Sequence, residues 1–296
     1  MISIDADLVA RLVAAQHPRW AGLPVTPVPH QGWDNRTFRL GEELSVRLPS
    51  APGYVAAVAK EETVLRLLAD RLPVALPQVV ARGEPGEGYP FPWSVRHWLA
   101  GETPDRTDGV DRVRLARDLG VTLRALRSLP VDGGPAAGAH SFYRGCHPSV
   151  YGDQVASALD MLGARLGPDG VARARAVWDR AVATAWEGPP VWFHGDVAVG
   201  NLLVTDGVLS ALIDLGTCGI GDPACDVVMA WTFFRGEERE VLRDAVGLDD
   251  AAWDRGRGWA LWKALVTLAG ASSPDVGGVQ AAALTEALGE SRGGRA

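Results

Sequence analysis

Between Val191 and Asp214 the chain reads VWFHGDVAVGNLLVTDGVLSALID, and few folds accommodate that order of residues. Three apolar residues run straight into His194-Gly195-Asp196, four residues separate Asp196 from Asn201, and a second apolar run follows at once. Asp206-Gly207 is a strong two-residue hairpin signal, because both residue types tolerate positive φ. The arms on either side, LLV and VLSALI, are short and apolar. Folding this hairpin carries Asp214, at the end of the second arm, back toward Asn201 at the start of the first. The segment therefore predicts two carboxylates and one carboxamide at the mouth of a single hairpin.

Such a cluster suits one kind of chemistry. Hard cations such as Mg²⁺ take oxygen ligands, usually one or two protein groups together with phosphate oxygens. Asn201 and Asp214 supply ligands of that type. A separate carboxylate, Asp196, is placed to accept a proton from a hydroxyl aligned with a γ-phosphate. Phosphoryl transfer depends on positioning and charge neutralisation more than on covalent catalysis. Each residue also has a plainer reading: Asp196 as a cap or turn carboxylate, Asp214 as a strand-end Asx turn. Their joint placement by one hairpin favours function. His194 is a poor partner for a magnesium–oxygen site, and no second His or Cys lies nearby in sequence.

The rest of the chain divides into two kinds of sequence. Residues 3–20 have the spacing of a leading amphipathic helix, and the stretch at 22–30 reads as a Pro-rich connector. Residues 36–49 read as two short strands around GEE, and 54–72 as a helix with Val58, Leu65, Leu68 and Leu72 near one face. From Leu76 to Glu102 the pattern is strand, Gly/Pro turn, strand. The Gly-rich 83–88 stretch joins two strands, precedes no helix and carries two glutamates, so it reads as a turn and not a phosphate cradle. Beyond Gly101 the character changes. Leu115, Leu119, Leu123 and Leu126 mark an amphipathic helix, with two more helices near 152–166 and 171–186, and helices again from about 223 to a frayed tail at GESRGGRA. The expected fold class is α+β, with a small antiparallel-sheet lobe at 1–98 and a larger, mainly helical lobe at 99–296. The boundary falls within 99–104, and a ligand is expected between the lobes.

Composition narrows the function. A formal charge of −7 argues against a nucleic-acid footprint; it suits a cationic substrate, or simply solubility. Three widely spaced cysteines without a CxxC pair exclude a disulfide framework and a zinc site, and fit a reducing compartment. The acidic N-terminus is not a signal peptide, and the longest apolar stretch is interrupted by Lys263 and too short to span a bilayer. A cytoplasmic location is expected, with neither membrane nor nucleic acid as partner.

HGDVAVGN at 194–201, followed by IDLG, resembles the catalytic and metal loops of kinases, specifically the aminoglycoside phosphotransferase-like family of small-molecule kinases. That family's H-G-D-x-x-x-x-N pattern stands intact, and GDPACD at 221–226 is similar to the segment that follows the metal-binding Asp. The resemblance implies a bilobal, protein-kinase-like fold using ATP or GTP and Mg²⁺. It implies Asp196 as the catalytic carboxylate, Asn201 and Asp214 as magnesium ligands, and His194 as an organiser of the loop. Asp226 would tie the following helix to the loop, or anchor a cationic substrate group.

At the phosphate end, residues 31–40 lie where the family has its nucleotide loop, but only Gly32 is present, so a phosphate contact and a plain hairpin turn stand equal. Arg47 occupies the position at which the family usually has a phosphate-binding lysine. Arginine can grip phosphate with two parallel N–H bonds. Its partner on the next helix is Glu61, with Glu62 as the alternative; the plain reading is a surface Arg and a surface Glu. Backbone groups of Arg96–Leu99 would meet adenine, and Trp98 either lines that pocket or belongs to the core. The function so implied is phosphoryl transfer to a hydroxyl of a small molecule, an aminoglycoside or another antibiotic by family, with acids at 233–240 as candidate ammonium anchors. A sugar or amino-alcohol kinase and a nucleotide-binding pseudokinase are the alternatives.

Overall fold

The computed structural model describes residues 3–29, 31–32 and 34–289; the predicted frayed tail therefore lies almost wholly outside the described residues. The chain divides into two compact units, Met1–Gly101 with Ala211–Gly216, and Glu102–Ser210 with Thr217–Ala296. Residues 211–216, expected to follow the hairpin into the helical part, belong to the first unit.

In the first unit, helix α1 (Ala6–Gln16) is capped by Asp5, whose carboxylate accepts from Leu8 N at 2.9 Å. Strands β1 (Val25–Pro27), β2 (Asn35–Leu40), β3 (Leu44–Pro49), β4 (Val79–Gly83) and β5 (Trp93–His97) form one antiparallel sheet in the order β1-β2-β3-β5-β4. Helix α2 (Val55–Leu68) follows β3. The Pro-rich connector thus contains a strand. An edge strand needs only one hydrogen-bonding side, so Pro27 is tolerated there. Helix α2 stops short of Leu72, where Asp70 takes a left-handed conformation (φ 56°) and turns the chain.

Side chains alternate across the sheet, and that alternation separates core from chemistry. Phe38, Leu40, Val46, Leu48, Trp93 and Val95 pack against Leu8, Val9, Leu12 and Val13 of α1. Ser45, Arg47, Ser94 and Arg96 therefore point to the opposite face. The 83–88 stretch is a tight turn, Gly86 and Tyr89 exchanging backbone hydrogen bonds at 2.9 and 2.7 Å.

In the second unit, helices α3 (Arg112–Ser128), α4 (Gly152–Val182), α5 (Met229–Thr232), α6 (Gly236–Val246), α7 (Asp250–Leu268) and α8 (Val279–Gly289) carry the core. The two helices expected near 152–166 and 171–186 are present within the α4 span, separated at Gly167 (φ 67°, ψ 169°) ahead of Pro168, which lacks the N–H to continue the ladder. Strand β6 (Val191–Phe193) pairs with β9 (Gly219–Gly221), and β7 (Leu202–Thr205) with β8 (Val208–Leu212), across a turn with Asp206 at φ 52° and Gly207 at φ 75°. Among the described residues no helix is long and apolar enough to cross a membrane.

Helix α7 is buried along nearly its whole length. A Cβ at Gly256 would lie 2.3 Å from Val227 Cγ2 and 2.9 Å from Ala224 O, and one at Gly258 would lie 2.3 Å from Ala181 Cβ. Because Ala224 O is backbone, the clash cannot be relieved by a rotamer. Gly256→Ala is expected to destabilise the protein by about 1–3 kcal/mol, seen as a lower urea midpoint. An unchanged midpoint would show that the 223–227 turn yields freely.

Candidate active site

The loop after β6 is held from the core outward. At Gly195 the chain turns with φ 84°, and a Cβ there would approach Thr217 O and Oγ1 to 3.0 Å, so glycine is required. His194 N donates to Asp226 Oδ2 at 2.8 Å and Gly195 N to Asp226 Oδ1 at 2.7 Å. Thr217 Oγ1 donates to His194 O at 2.9 Å. Asp226 is 3% exposed; burial raises its carboxyl above the ordinary value, while His194 and the two amide bonds pull the other way. The buried carboxylate thus binds two successive backbone amides of the loop and ties it to the 223–227 turn. His194 Nδ1 accepts from Asp196 N at 3.2 Å, an organising contact.

Asp196 and Asn201 are brought together. Asn201 Nδ2 donates to Asp196 O at 2.9 Å and to Asp196 Oδ2 at 3.0 Å. One amide nitrogen so fixes both the main chain and the carboxylate of residue 196. It also commits the nitrogen end of Asn201, so that Oδ1 is the end available to a hard cation.

A second buried pair steadies this loop. Asp222 accepts from Ala224 N at 3.0 Å and from Arg255 Nε at 2.6 Å, and Arg255 Nη1 reaches Thr184 Oγ1 at 3.2 Å. Arg255 is 1% exposed. No spacing in the sequence announces this pairing across 33 residues.

In the first unit Arg47, Glu61 and Asp214 meet. Arg47 Nη1 pairs with Glu61 Oε1 at 3.1 Å and Nη2 with Asp214 Oδ1 at 2.7 Å. The Asn35 side-chain oxygen accepts from Arg47 Nε at 3.2 Å and Nη2 at 3.0 Å. Arg96, on the same face of the next strand, reaches Glu61 Oε2 at 2.8 Å with Nη2. Glu61 therefore sits between two guanidinium groups. Burial penalises its charge, but Arg47 and Arg96 outweigh it and hold the carboxyl down at about 2. Burial likewise works against the charged Arg47, and the attraction of Glu61 and Asp214 reverses this and raises it. Asp214 adopts φ 62°, a left-handed conformation that short polar side chains tolerate.

Glu62, the alternative partner, pairs instead with Arg82 at 2.5 Å. Trp98 stands outside this network: the Arg39 guanidinium lies 4.2 Å over its ring, and its backbone N–H donates to Glu43 O at 2.7 Å. In the 31–40 stretch Gln31 clasps Thr37, accepting from its N at 2.8 Å and donating to its O at 2.9 Å. Sequence reasoning missed the side-chain roles of Asn35 and Arg96. The signal for Arg96 was present in the two-residue alternation of WSVRH, which puts Ser94 and Arg96 opposite Trp93 and Val95.

Asp214 in the first unit, and Asn201 and Asp196 in the second, are each hard oxygen donors, a type that fits Mg²⁺ and not a thiolate or imidazole metal. Among the described residues no group of three or more His, Cys, Asp or Glu side chains gathers. A cavity of about 920 Å³ in the first unit, lined by Glu62, Arg66, Pro77, Arg82, His97 and others, contains none of the expected catalytic or metal-binding residues.

Comparison with known proteins adds to this geometry. The family described as "Phosphotransferase enzyme family" matches residues 25–259. No curated protein sequence matches the chain. Among solved structures, the GDP complex of wild-type aminoglycoside 2'-phosphotransferase-IIIa is similar at a TM-score of 0.72 and 16% identity, covering 97% of this chain and 99% of that one. The streptomycin–ATP complex of a second aminoglycoside phosphotransferase is similar at 0.62 and 16%, covering 98% of each chain. The macrolide 2'-phosphotransferase MphH from Brachybacterium faecium is similar at 0.63 and 22%, covering 97% and 100%. At these identities the likeness establishes the bilobal kinase-like fold.

Proposed function

Since the chain belongs to the phosphotransferase enzyme family, whose pattern covers residues 25–259, we propose that it moves the γ-phosphate of ATP or GTP to a hydroxyl of a small molecule. It is an enzyme, a small-molecule kinase with an alcohol group as acceptor. The observation that carries the assignment of roles is the double hydrogen bond from Asn201 Nδ2 to Asp196. It locks the carboxylate of residue 196 in place while turning the Asn201 oxygen outward, as a base beside a cation ligand requires.

Asp196 holds the acceptor hydroxyl and takes its proton as the oxygen bonds to the γ-phosphorus, while the bond from that phosphorus to the β–γ bridging oxygen breaks and the nucleoside diphosphate leaves. Asn201 and Asp214 are the residues that would hold Mg²⁺, which when bound would neutralise phosphate charge. Arg47, kept charged by Glu61 and Asp214, faces the nucleotide phosphates, and Glu61, itself gripped by Arg96, keeps the Arg47 fork oriented. Trp98 lies at the adenine end. Cys146, Cys218 and Cys225, none of them in a disulfide, support a reducing, cytoplasmic setting.

Two measurements test this reading. A nucleotide-consumption screen with ATP and GTP, over aminoglycosides, macrolides, sugars, amino alcohols and hydroxy acids, is expected to identify an acceptor; silence across the panel with nucleotide still bound favours the pseudokinase. Asp214→Ala is expected to abolish the magnesium-dependent part of nucleotide binding. A titration in which Mg²⁺ still tightens nucleotide binding by its usual factor removes Asp214 from the metal site.

A further inference from the structure

The wall beside the catalytic loop is aromatic and cationic. In the segment between α3 and α4, Phe142 and Tyr143 both adopt left-handed backbone (φ 48° and 55°). Two bulky residues in succession there are strained, and such strain clusters at ligand sites. Both rings are pushed outward, 54% and 40% exposed. Arg144, next in the chain, turns inward, its guanidinium 5.0 Å from the Trp259 ring and 4.6 Å from Trp262. Tyr151 stacks on Trp262 at 4.1 Å, meets Tyr143 edge-on at 6.2 Å, and donates to Phe142 O at 2.9 Å.

Lys263 follows Trp262 on α7, with Nζ 2.8 Å from Ser272 Oγ. It is one of two lysines in a chain whose other cationic residues are arginine. Burial and the nearby Arg144 charge lower its ammonium, and the Asp196 carboxylate raises it. Gly145, next to Arg144, lies so close to Phe193 that a Cβ there would fall 2.0 Å from its ring, and Phe193 precedes His194, so this wall adjoins the catalytic loop within the second unit.

One of the acids at 233–240 that might have received a cationic substrate is already used by the fold. Glu238 accepts from Arg235 N at 3.0 Å and takes Arg112 on both oxygens, at 2.7 and 2.9 Å. Glu286 pairs with Arg235 and Arg239, and Asp222 with Arg255. Arg144 instead rests on indole faces and Lys263 on a hydroxyl, which leaves their charge to act on whatever approaches Asp196.

We propose that the acceptor is a hydroxylated small molecule bearing an anionic group, held by Arg144 and Lys263 with its body against Tyr143 and Tyr151, and that polycations are disfavoured. The inference rests on the phosphotransferase reading and names its substrate class. A polycation would bring ammonium groups against two protein cations, whereas a carboxylate or phosphate would complete them.

The test uses the full chain and three probes in calorimetric titrations: 4-nitrophenyl β-D-glucuronide, the uncharged 4-nitrophenyl β-D-glucoside, and kanamycin. The glucuronide is expected to bind at least tenfold more tightly than the glucoside, and kanamycin more weakly than either. Lys263→Gln is expected to bring the glucuronide-to-glucoside ratio toward one, and Lys263→Arg to restore it. Arg144→Gln serves as a second, independent removal of charge. Absence of a glucuronide preference, including no binding by any probe, overturns the proposal, as does a preference that survives Lys263→Gln and Arg144→Gln unchanged. Binding decides the inference and phosphoryl transfer decides the reading beneath it. Glucuronide preference without transfer to any compound supports the anion site and counts against the phosphotransferase; transfer to kanamycin without that preference does the reverse.

Discussion

Asp196→Ala is expected to lower kcat about a thousandfold, roughly 4 kcal/mol of transition-state free energy, while nucleotide affinity stays within about twofold. The size follows from what the carboxylate does. A positioned base typically contributes 10²–10⁴ in rate, about the range within which the loss should fall. The selectivity follows from the contacts: Asp196 bonds to Asn201 and His194, and neither bond reaches the Arg47–Glu61 pair. Loss should appear in kcat and kcat/KM together, because the proton moves only as the reaction proceeds. Asp196→Asn separates charge from shape, since it keeps the side chain's volume beside Asn201. Its activity should fall nearly as far. Turnover within tenfold of the parent in both variants would assign the proton to another group.

The second large effect concerns stability. Glu61 is 2% exposed and answers two guanidinium groups, Arg47 and Arg96, whose side chains are themselves 14% and 4% exposed. Removing one partner of a buried ionic cluster leaves uncompensated charge and costs about 3–5 kcal/mol. Glu61→Gln is therefore expected to destabilise by about that amount at pH 7, measured by urea titration. The pH dependence has a definite sign. The folded carboxyl is lowered to about 2 from an ordinary 4.5, so its stabilisation is fully present above about pH 4.5 and is lost as the pH falls toward 2. The gap between parent and Glu61→Gln should narrow over that window. A gap that stays constant from pH 7 to pH 2.5 would show that Glu61 is not ionised in the folded protein.

What could be read in advance was local. The hairpin around Asp206-Gly207 declares itself because two adjacent residues suffice to set it. Strands β2 and β3 follow from alternation around GEE, and α3 from leucines at helical spacing. The hidden part depends on register and burial. Asn35 meets Arg47 because β2 pairs with β3, and Arg96 meets Glu61 because Ser94 stands opposite Arg47 in β5. Nothing in a linear string fixes those pairings. Phe142 and Tyr143 were invisible for the opposite reason: bulky residues argue against left-handed backbone, so only the packing of the folded chain reveals it. Glu238, among the acids at 233–240 that were candidates on charge alone, is engaged in capping and an ion pair with Arg112 that sequence spacing does not disclose.

The grip of Asp226 on the amides of His194 and Gly195 bears on how such a protein can be reprogrammed. The reactive loop takes these bonds from the interior, and the segment that carries Phe142, Tyr143 and Arg144 joins the same anchor through Gly145, whose O accepts from Asp222 N at 2.8 Å. Specificity and reactivity are thus inherited on separate pieces of chain. Libraries aimed at new substrates should diversify 142–144 and Lys263, and leave Gly145, 191–201 and 222–226 alone. Changes in the latter would read out as dead enzyme long before they read out as altered taste.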